Sequence, residues 1–271
     1  MRDASVAAND NTRGTDAMIL EHRAYTLLPG NTAAFWQSQI DRGFPIARPI
    51  MERVLGYFVT VGGPAEQIVH IYRFDDLPDW QTRLRGMYTV KGLEPYFKIV
   101  RPLMAAQENS FWLPAPVAAA TPLWNDKTDW MPGDKPVADL ARHPRLVVEE
   151  EVLTMKPGKL LVFWPLLQQH GLAALAGLDE TLIGCFFSMS GAQHRVVWYR
   201  WFPDVETLRA RREKAASGRA WGRYHKVLRD IYAAHETKIL APAPVPEMIP
   251  LFVEAAVKGR AAPAGKKGRR N

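Results

Sequence analysis

Apolar and polar residues alternate from Leu20 to Leu27, and the run stops at Pro29-Gly30. A period of two ended by a Pro-Gly pair predicts a strand that leaves through a turn. Asn31 or Thr32 is placed to cap a helix carrying Phe35, Trp36 and Ile40 on one face, with Pro45 and Pro49 limiting its straight run. Leu55–Val61 and Ile68–Phe74 are β-branched or aromatic runs separated by Gly62-Gly63-Pro64, the pattern of a strand pair. Asp76 opens a helical stretch through Trp80 and Leu84 that loosens at Gly92, Pro95–Met104 follows, and Gln107–Leu113 closes the unit as a strand. The order is βαββαβ, a ferredoxin-like α+β arrangement.

The whole pattern then returns. At an offset of 128, Thr26 meets Thr154, Pro29-Gly30 meets Pro157-Gly158, Trp36 meets Trp164, Gly56 meets Gly184, Tyr96 meets Tyr224 and Glu108 meets Glu236. The dipeptide Tyr72-Arg73 finds its like in Tyr199-Arg200 at 127, which predicts a one-residue loop deletion before the third strand of the second copy. The second set of elements is Leu146–Met155, Leu160–His170, Leu182–Met189, Arg195–Trp201, Val205–Ala215, Trp221–Ile231 and His235–Leu240. The expected divisions are a disordered segment 1–17, a first unit 18–115, a linker 116–145, a second unit 146–244 and an extension 245–271. Trp124 and Trp130 are expected to pack the linker onto the body.

Charge changes the picture only at one end. The net charge is +7, but Lys258, Arg260, Lys266, Lys267, Arg269 and Arg270 account for six of it, so the body is almost neutral. A nucleic-acid surface needs positive charge on the body, so none is expected there. No membrane span or secretory signal is read from the chain, and the single Cys185 suits a reducing compartment, which points to the cytoplasm. The seven histidines form no i, i+4 pair and there is no P-loop, nucleophile elbow or dinucleotide fingerprint, so neither a metal nor a cofactor is expected. A single axial histidine would suffice for haem, and nothing marks one.

Glu21-His22-Arg23-Ala24-Tyr25-Thr26-Leu27-Leu28-Pro29-Gly30, Leu55-Gly56-Tyr57-Phe58, Val69-His70-Ile71-Tyr72, and Arg101-Pro102-Leu103 with Gln107-Glu108-Asn109 together resemble a NIPSNAP domain. The likeness is strong over 18–115 and weaker over 146–244. It implies a dimeric α/β barrel built within one chain, the two antiparallel sheets paired face to face. Proteins of similar fold include cofactor-independent monooxygenases, isomerases and haem enzymes, so the resemblance implies no single activity.

Candidate chemistry gathers on the first copy. Glu21, Arg23 and Tyr25 share one face of their strand, taken to be the face toward the partner sheet, where a core strand would carry Val or Leu. His70 interrupts an apolar strand, and the 127 alignment gives its counterpart as Val197. These four are the expected catalytic set, with His70 as general acid or base. Tyr57, Tyr72, Gln107, Asn109, Glu149 and Tyr199 are expected to touch a small apolar or aromatic ligand in a cavity between the sheets. The competing readings are an internal ion pair with a satisfied core histidine, and a non-catalytic binding or scaffold protein. The chain's own pseudo-dimer leaves room for a true homodimer.

Overall fold

The computed structural model describes residues 18–125, 128–129 and 135–254. The expected disordered segment 1–17, Trp130 and the basic tail lie outside the described residues. The first copy runs β1 (Ile19–Leu27), α1 (Thr32–Arg42), β2 (Val54–Gly62), β3 (Gln67–Phe74), α2 (Leu77–Tyr88), α3 (Glu94–Val100) and β4 (Met104–Pro114), with a short helix Arg48–Met51 before β2. The second runs β5 (Val147–Met155), α4 (Leu160–Leu166), β6 (Leu182–Ser188), β7 (Arg195–Phe202), α5 (Val205–Ala216), α6 (Arg219–Ile231) and β8 (Tyr232–Pro242).

Each copy orders its strands fourth, first, third, second, and the two sheets close into one eight-stranded antiparallel barrel, β1-β3-β2-β8-β5-β7-β6-β4. Two seams join the copies. Pro242 to Ile239 pair with Phe58 to Gly62, and Trp112 to Pro114 pair with Phe186 to Ser188. Because both seams are short, the barrel is tightly closed at one end and splayed at the other, where the Gln107–Asn109 and His235–Thr237 stretches stand exposed.

Alternation sorts every strand between two environments. Ile19, Tyr25, Leu27, Tyr57, Ile68, Tyr72 and Phe74 meet the helices of the first copy. Leu20, Phe58, Val69, Ile71, Trp112, Val148, Phe186, Val197 and Tyr199 fill the barrel. The linker supplies Trp124 and the carboxyl-terminal segment supplies Leu251 and Phe252 to the same interior. Trp124 therefore packs onto the body as expected.

Three sequence expectations change. First, the helix α1 start is not capped by Asn31 or Thr32. Glu66, on the β2–β3 loop, accepts bonds from Gly30 N at 2.7 Å, Asn31 N at 3.1 Å and Thr32 Oγ1 at 3.2 Å. Those bonds hold its carboxyl below the usual carboxylate range.

Second, no residue is deleted in the second copy. Gly63 and Gly191 share positive φ (113° and 81°), and so do Glu66 and His194 (50° and 61°), which keeps the offset at 128 around the loop. The register agrees: Glu21 faces Tyr72 on the neighbouring strand, and Glu149 faces Arg200. The counterpart of Tyr72 is thus Arg200, and that of His70 is Trp198, not Val197. A one-residue slip reverses a strand's faces, and the Tyr-Arg dipeptides coincide in letters while pointing oppositely.

Third, one helical run, Leu160–Thr181, is long and apolar enough to cross a membrane by length and composition. It is broken into α, π and 3-10 turns, and it buries Phe163, Leu166, Leu167, Leu175 and Leu178 in the second copy's core.

Gly56 and Gly184 mark equivalent bulges in β2 and β6. A Cβ on Gly184 would stand 2.7 Å from both the Phe186 and Trp124 rings. Gly184→Ala is expected to cost about 1–3 kcal/mol by overpacking. Gly177→Ala, with nothing within 4 Å of the added carbon, serves as the control. Urea titration of both reads the difference, and equal midpoints would refute the close seating of Trp124.

Candidate active site

Glu21, Arg23 and Tyr25 do share one face of β1, but it is the face beneath the first copy's helices, not the face toward the other sheet. β3 and β2 bring His70, Tyr72 and Tyr57 to the same side, and β4 places Gln107 opposite Tyr25. The roof comes from Arg42 at the end of α1, Ile50 and Met51 of the short helix, and Tyr96 and Phe97 of α3. Between floor and roof lies a cavity of about 130 Å³.

His70 is 2% exposed. Its ring stacks on Tyr57, with centroids 3.7 Å apart and planes 11° from parallel, and Tyr25 meets its edge at 4.5 Å. Neither ring nitrogen has a hydrogen-bond partner among the described residues. Burial, reinforced by the charges of Arg23 and Arg42, pushes its pKa well below the usual histidine value, so the imidazole is neutral.

Around it the polar groups are graded. Arg23 Nη2 lies 2.8 Å from Glu21 Oε2, and its guanidinium sits 4.8 Å over the Tyr72 ring. Burial alone would favour discharging Arg23, but Glu21 outweighs that and keeps it charged. Asn109 donates to Glu21 Oε1 at 2.9 Å. The Tyr57 and Tyr72 hydroxyls bond to each other, and burial pushes Tyr57 up to about 12 and Tyr72 well above its ordinary value. Tyr25 is also raised by burial. Gln39 donates to the Tyr96 hydroxyl at 2.9 Å, fixing the roof. A neutral base, a charge-paired arginine and protonated phenols can bind an acidic small molecule, accept its proton and stabilise the anion left behind.

Of the sequence-derived site residues, His70, Arg23, Tyr25, Tyr57, Tyr72 and Gln107 line this cavity, and Glu21 supports Arg23 from behind. Asn109 reaches it only through Glu21. Glu149 and Tyr199 lie elsewhere. Sequence reasoning missed Arg42, Tyr96 and Phe97. Arg42 had a signal: Phe35, Gln39 and Arg42 follow i, i+4, i+7, which puts two polar residues on the buried stripe of α1.

The second copy fills the equivalent space. Trp198 stands where His70 does, with Arg200 stacked over it at 4.7 Å. Arg212 of α5, equivalent to Leu84, grips Glu149 at 2.9 and 2.5 Å and Glu151 at 2.7 Å. Arg200 adds a bond to Glu151 at 2.8 Å, and His235 another at 3.0 Å. Cys185 is buried there, its thiol pushed well up by burial.

The space between the two sheets is a different place. At the splayed end of the barrel an open recess of about 440 Å³ is lined by His22, Trp112, Glu150, Arg195, Glu236 and Lys238, among others. His22 donates to Glu150 at 3.1 Å, Tyr199 donates to it at 2.9 Å and Lys238 lies 3.1 Å from it. Burial would raise the Glu150 pKa, but these three partners together hold it well below the carboxylate range.

Arg212→Ala leaves Glu149 and Glu151 buried with too little positive charge, and a loss of roughly 3–5 kcal/mol in urea unfolding is expected. The hydrogen bond to Glu151 raises the His235 pKa. Its contribution is therefore complete below about pH 6.5, the unfolded value, and fades as pH rises through the folded one. Melting temperatures of wild type and His235→Asn should differ more at pH 6 than at pH 9, and a constant difference would contradict the pairing.

The NIPSNAP family model matches residues 20–119 and again 148–246. No curated protein matches the chain. Among solved structures, a candidate monooxygenase from Lactobacillus acidophilus aligns over 84% of this chain and 94% of its own, at 9% identity and a TM-score of 0.54. A candidate monooxygenase from Fusobacterium nucleatum aligns over 84% and 93%, at 10% identity and 0.53. A NIPSNAP-like domain protein from Burkholderia xenovorans is 30% identical over 44% of this chain and 99% of its own, with a TM-score of 0.36. At such low identity the two larger alignments speak for the fold alone, a dimeric α/β barrel. With the family model matching most of its length in two tandem segments, this chain belongs to the NIPSNAP family.

Proposed function

We propose that the protein binds a small aromatic metabolite in the first copy's cavity and transfers a proton there without a bound cofactor, His70 acting as the general base. One observation carries this reading: His70 is buried on the cavity wall with both ring nitrogens unpaired among the described residues. A purely structural histidine would be expected to satisfy at least one nitrogen, since a buried unpaired polar group costs about 1–3 kcal/mol. Here the missing partner is supplied by the ligand.

In the step proposed, a ring nitrogen of His70 takes a proton from an acidic C–H or O–H of the ligand. The bonding electron pair stays behind as an enolate or phenolate. A neutral imidazole is the competent form of the base. Its depressed pKa makes it weak until the anion forms beside it, when the ion pair restores its basicity. Arg23, already balanced by Glu21, and the protonated tyrosines stabilise the anion by hydrogen bonds within a dry site. Returning the proton to a different carbon completes an isomerisation. With dioxygen as co-reactant, the same anion leads from a ring methylene to a carbonyl and one water, the balance of a monooxygenase-type reaction.

The test is to incubate the protein in D₂O with a panel of single-ring phenols and enolisable aryl ketones, following deuterium incorporation by NMR and oxygen uptake by electrode. His70→Asn is expected to lower the rate for any responsive compound by about 10²–10⁴. Trp198→His in the second copy should leave it unchanged. Equal rates for wild type and His70→Asn would rule out the base.

A further inference from the structure

We infer that the natural ligand of this cavity enters as an anion, a single-ring aromatic acid whose carboxylate is received by Arg42. The inference rests on the reading of the cavity as a ligand site, but not on His70 as its base. Arg23 has a carboxylate partner in Glu21, whereas Arg42 has no acidic partner among the described residues. Arg42 Nε donates to the Gly43 carbonyl at 3.3 Å, which closes the end of α1. Its Nη2 is sealed from solvent and has no hydrogen-bond partner among the described residues. The guanidinium is held in place over Tyr96, 5.0 Å from the ring centroid, and Tyr96 is in turn held by Gln39. An arginine that only capped the helix would leave its outer nitrogens in water. This one is oriented toward the cavity, close enough for its charge to act on His70 and Tyr57.

Arg101 stands on the same lining, exposed and stacked over Phe97 at 4.7 Å, also without an acidic partner among the described residues. Glu21 neutralises Arg23, so the cavity carries an excess of positive charge. A sheltered cation without a counter-charge is costly, and a bound carboxylate removes the cost with a bidentate geometry suited to a guanidinium. Steering by Arg101 at the entrance follows the same sign.

Shape limits the rest of the ligand. An apolar cavity of about 150 Å³ admits benzene, so about 130 Å³ limits the ligand to a single six-membered ring unless the roof moves. Tyr25, Tyr57, Tyr96 and Phe97 offer ring faces and edges on the walls. The second copy has no such arrangement: the position of Arg42 is His170, which is exposed, and Trp198 takes the ring space.

The experiment is calorimetric titration of the full chain with benzoate and with its neutral near-isostere benzamide at pH 7. Benzoate is expected to bind at least tenfold more tightly. Arg42→Gln should weaken benzoate by tenfold or more while moving benzamide by less than twofold. Unchanged circular dichroism and melting temperature verify its fold. If Arg42→Gln does not fold, Arg42→Lys is expected to keep the preference for benzoate but reduce it, and raising the salt from 50 to 500 mM should weaken benzoate alone. Benzamide binding as tightly as benzoate, or benzoate indifferent to both Arg42 variants, would overturn the anion assignment while leaving His70 and the cavity standing. Binding of neither probe at millimolar concentration would overturn the cavity as a ligand site, and this inference with it.

Discussion

A strand offers its side chains to opposite faces with a period of two, and in this barrel each strand lies between its own helices and the other repeat. That alternation decides the rest. Odd-numbered residues of β1 and β5 meet helices, and even-numbered ones meet the barrel interior. Glu21, Arg23 and Tyr25 therefore belong to an intra-repeat site, and His22, one residue away, belongs to the contact between repeats. A shift of one residue would exchange those assignments wholesale. The paired bulges at Gly56 and Gly184 and the paired left-handed turns at Gly63 and Gly191 keep the register identical in the two halves.

With the same register imposed on both, the halves differ in how they settle the charge buried beneath their helices. In the second copy Glu149 and Glu151 are answered by Arg200, Arg212 and His235, and Trp198 takes up the volume between them. Such a network is costly to break and has nothing left to offer a ligand. In the first copy Glu21 answers Arg23, and Arg42 on the same cavity has no acidic partner among the described residues. His70 and Arg42 keep buried nitrogens with no hydrogen-bond partner among the described residues, and an unfilled volume lies beside them. A core selected only for stability does not retain two such groups around a space, because each lowers the stability of the fold.

The periodic features were legible in the sequence. The Pro-Gly turns, the repeated glycines and the shared face of Glu21, Arg23 and Tyr25 follow from local chemistry and strand geometry. What covers each face is a tertiary fact. An acid, a base and a phenol on one side of a strand look the same in sequence whether helices or another sheet lie above, so sequence alone does not show that Arg23, Tyr25 and His70 lie under the helices and not on the wall of the recess between the sheets. The counterpart of His70 was misassigned because the letters Tyr-Arg recur at 127 while the backbone keeps 128. Glu149, the counterpart of Glu21, pairs with Arg212 under the second copy's helices, and Tyr199 faces the barrel interior, so neither reaches the cavity. Arg42 was hidden because a cation in the last turn of a helix already has an ordinary explanation in the helix dipole.

The join between the repeats shows what fusing them into one chain permits. His22 and Glu150 are 128 residues apart and bond to each other, so each touches its own counterpart and the pair lies on the pseudo-two-fold axis. In a dimer of identical chains a residue at that place meets itself, and a buried acid there would face a second acid. A tandem chain can place a histidine opposite the glutamate and recruit Tyr199 and Lys238 of the second repeat around it. The same freedom allows Trp198 to fill one cavity while His70 borders the other. Two sites constrained to be identical would both have to bind or both have to pack. Once joined, one half can carry the cost of a ligand site while the fully paired network of the other supplies stability to the shared barrel.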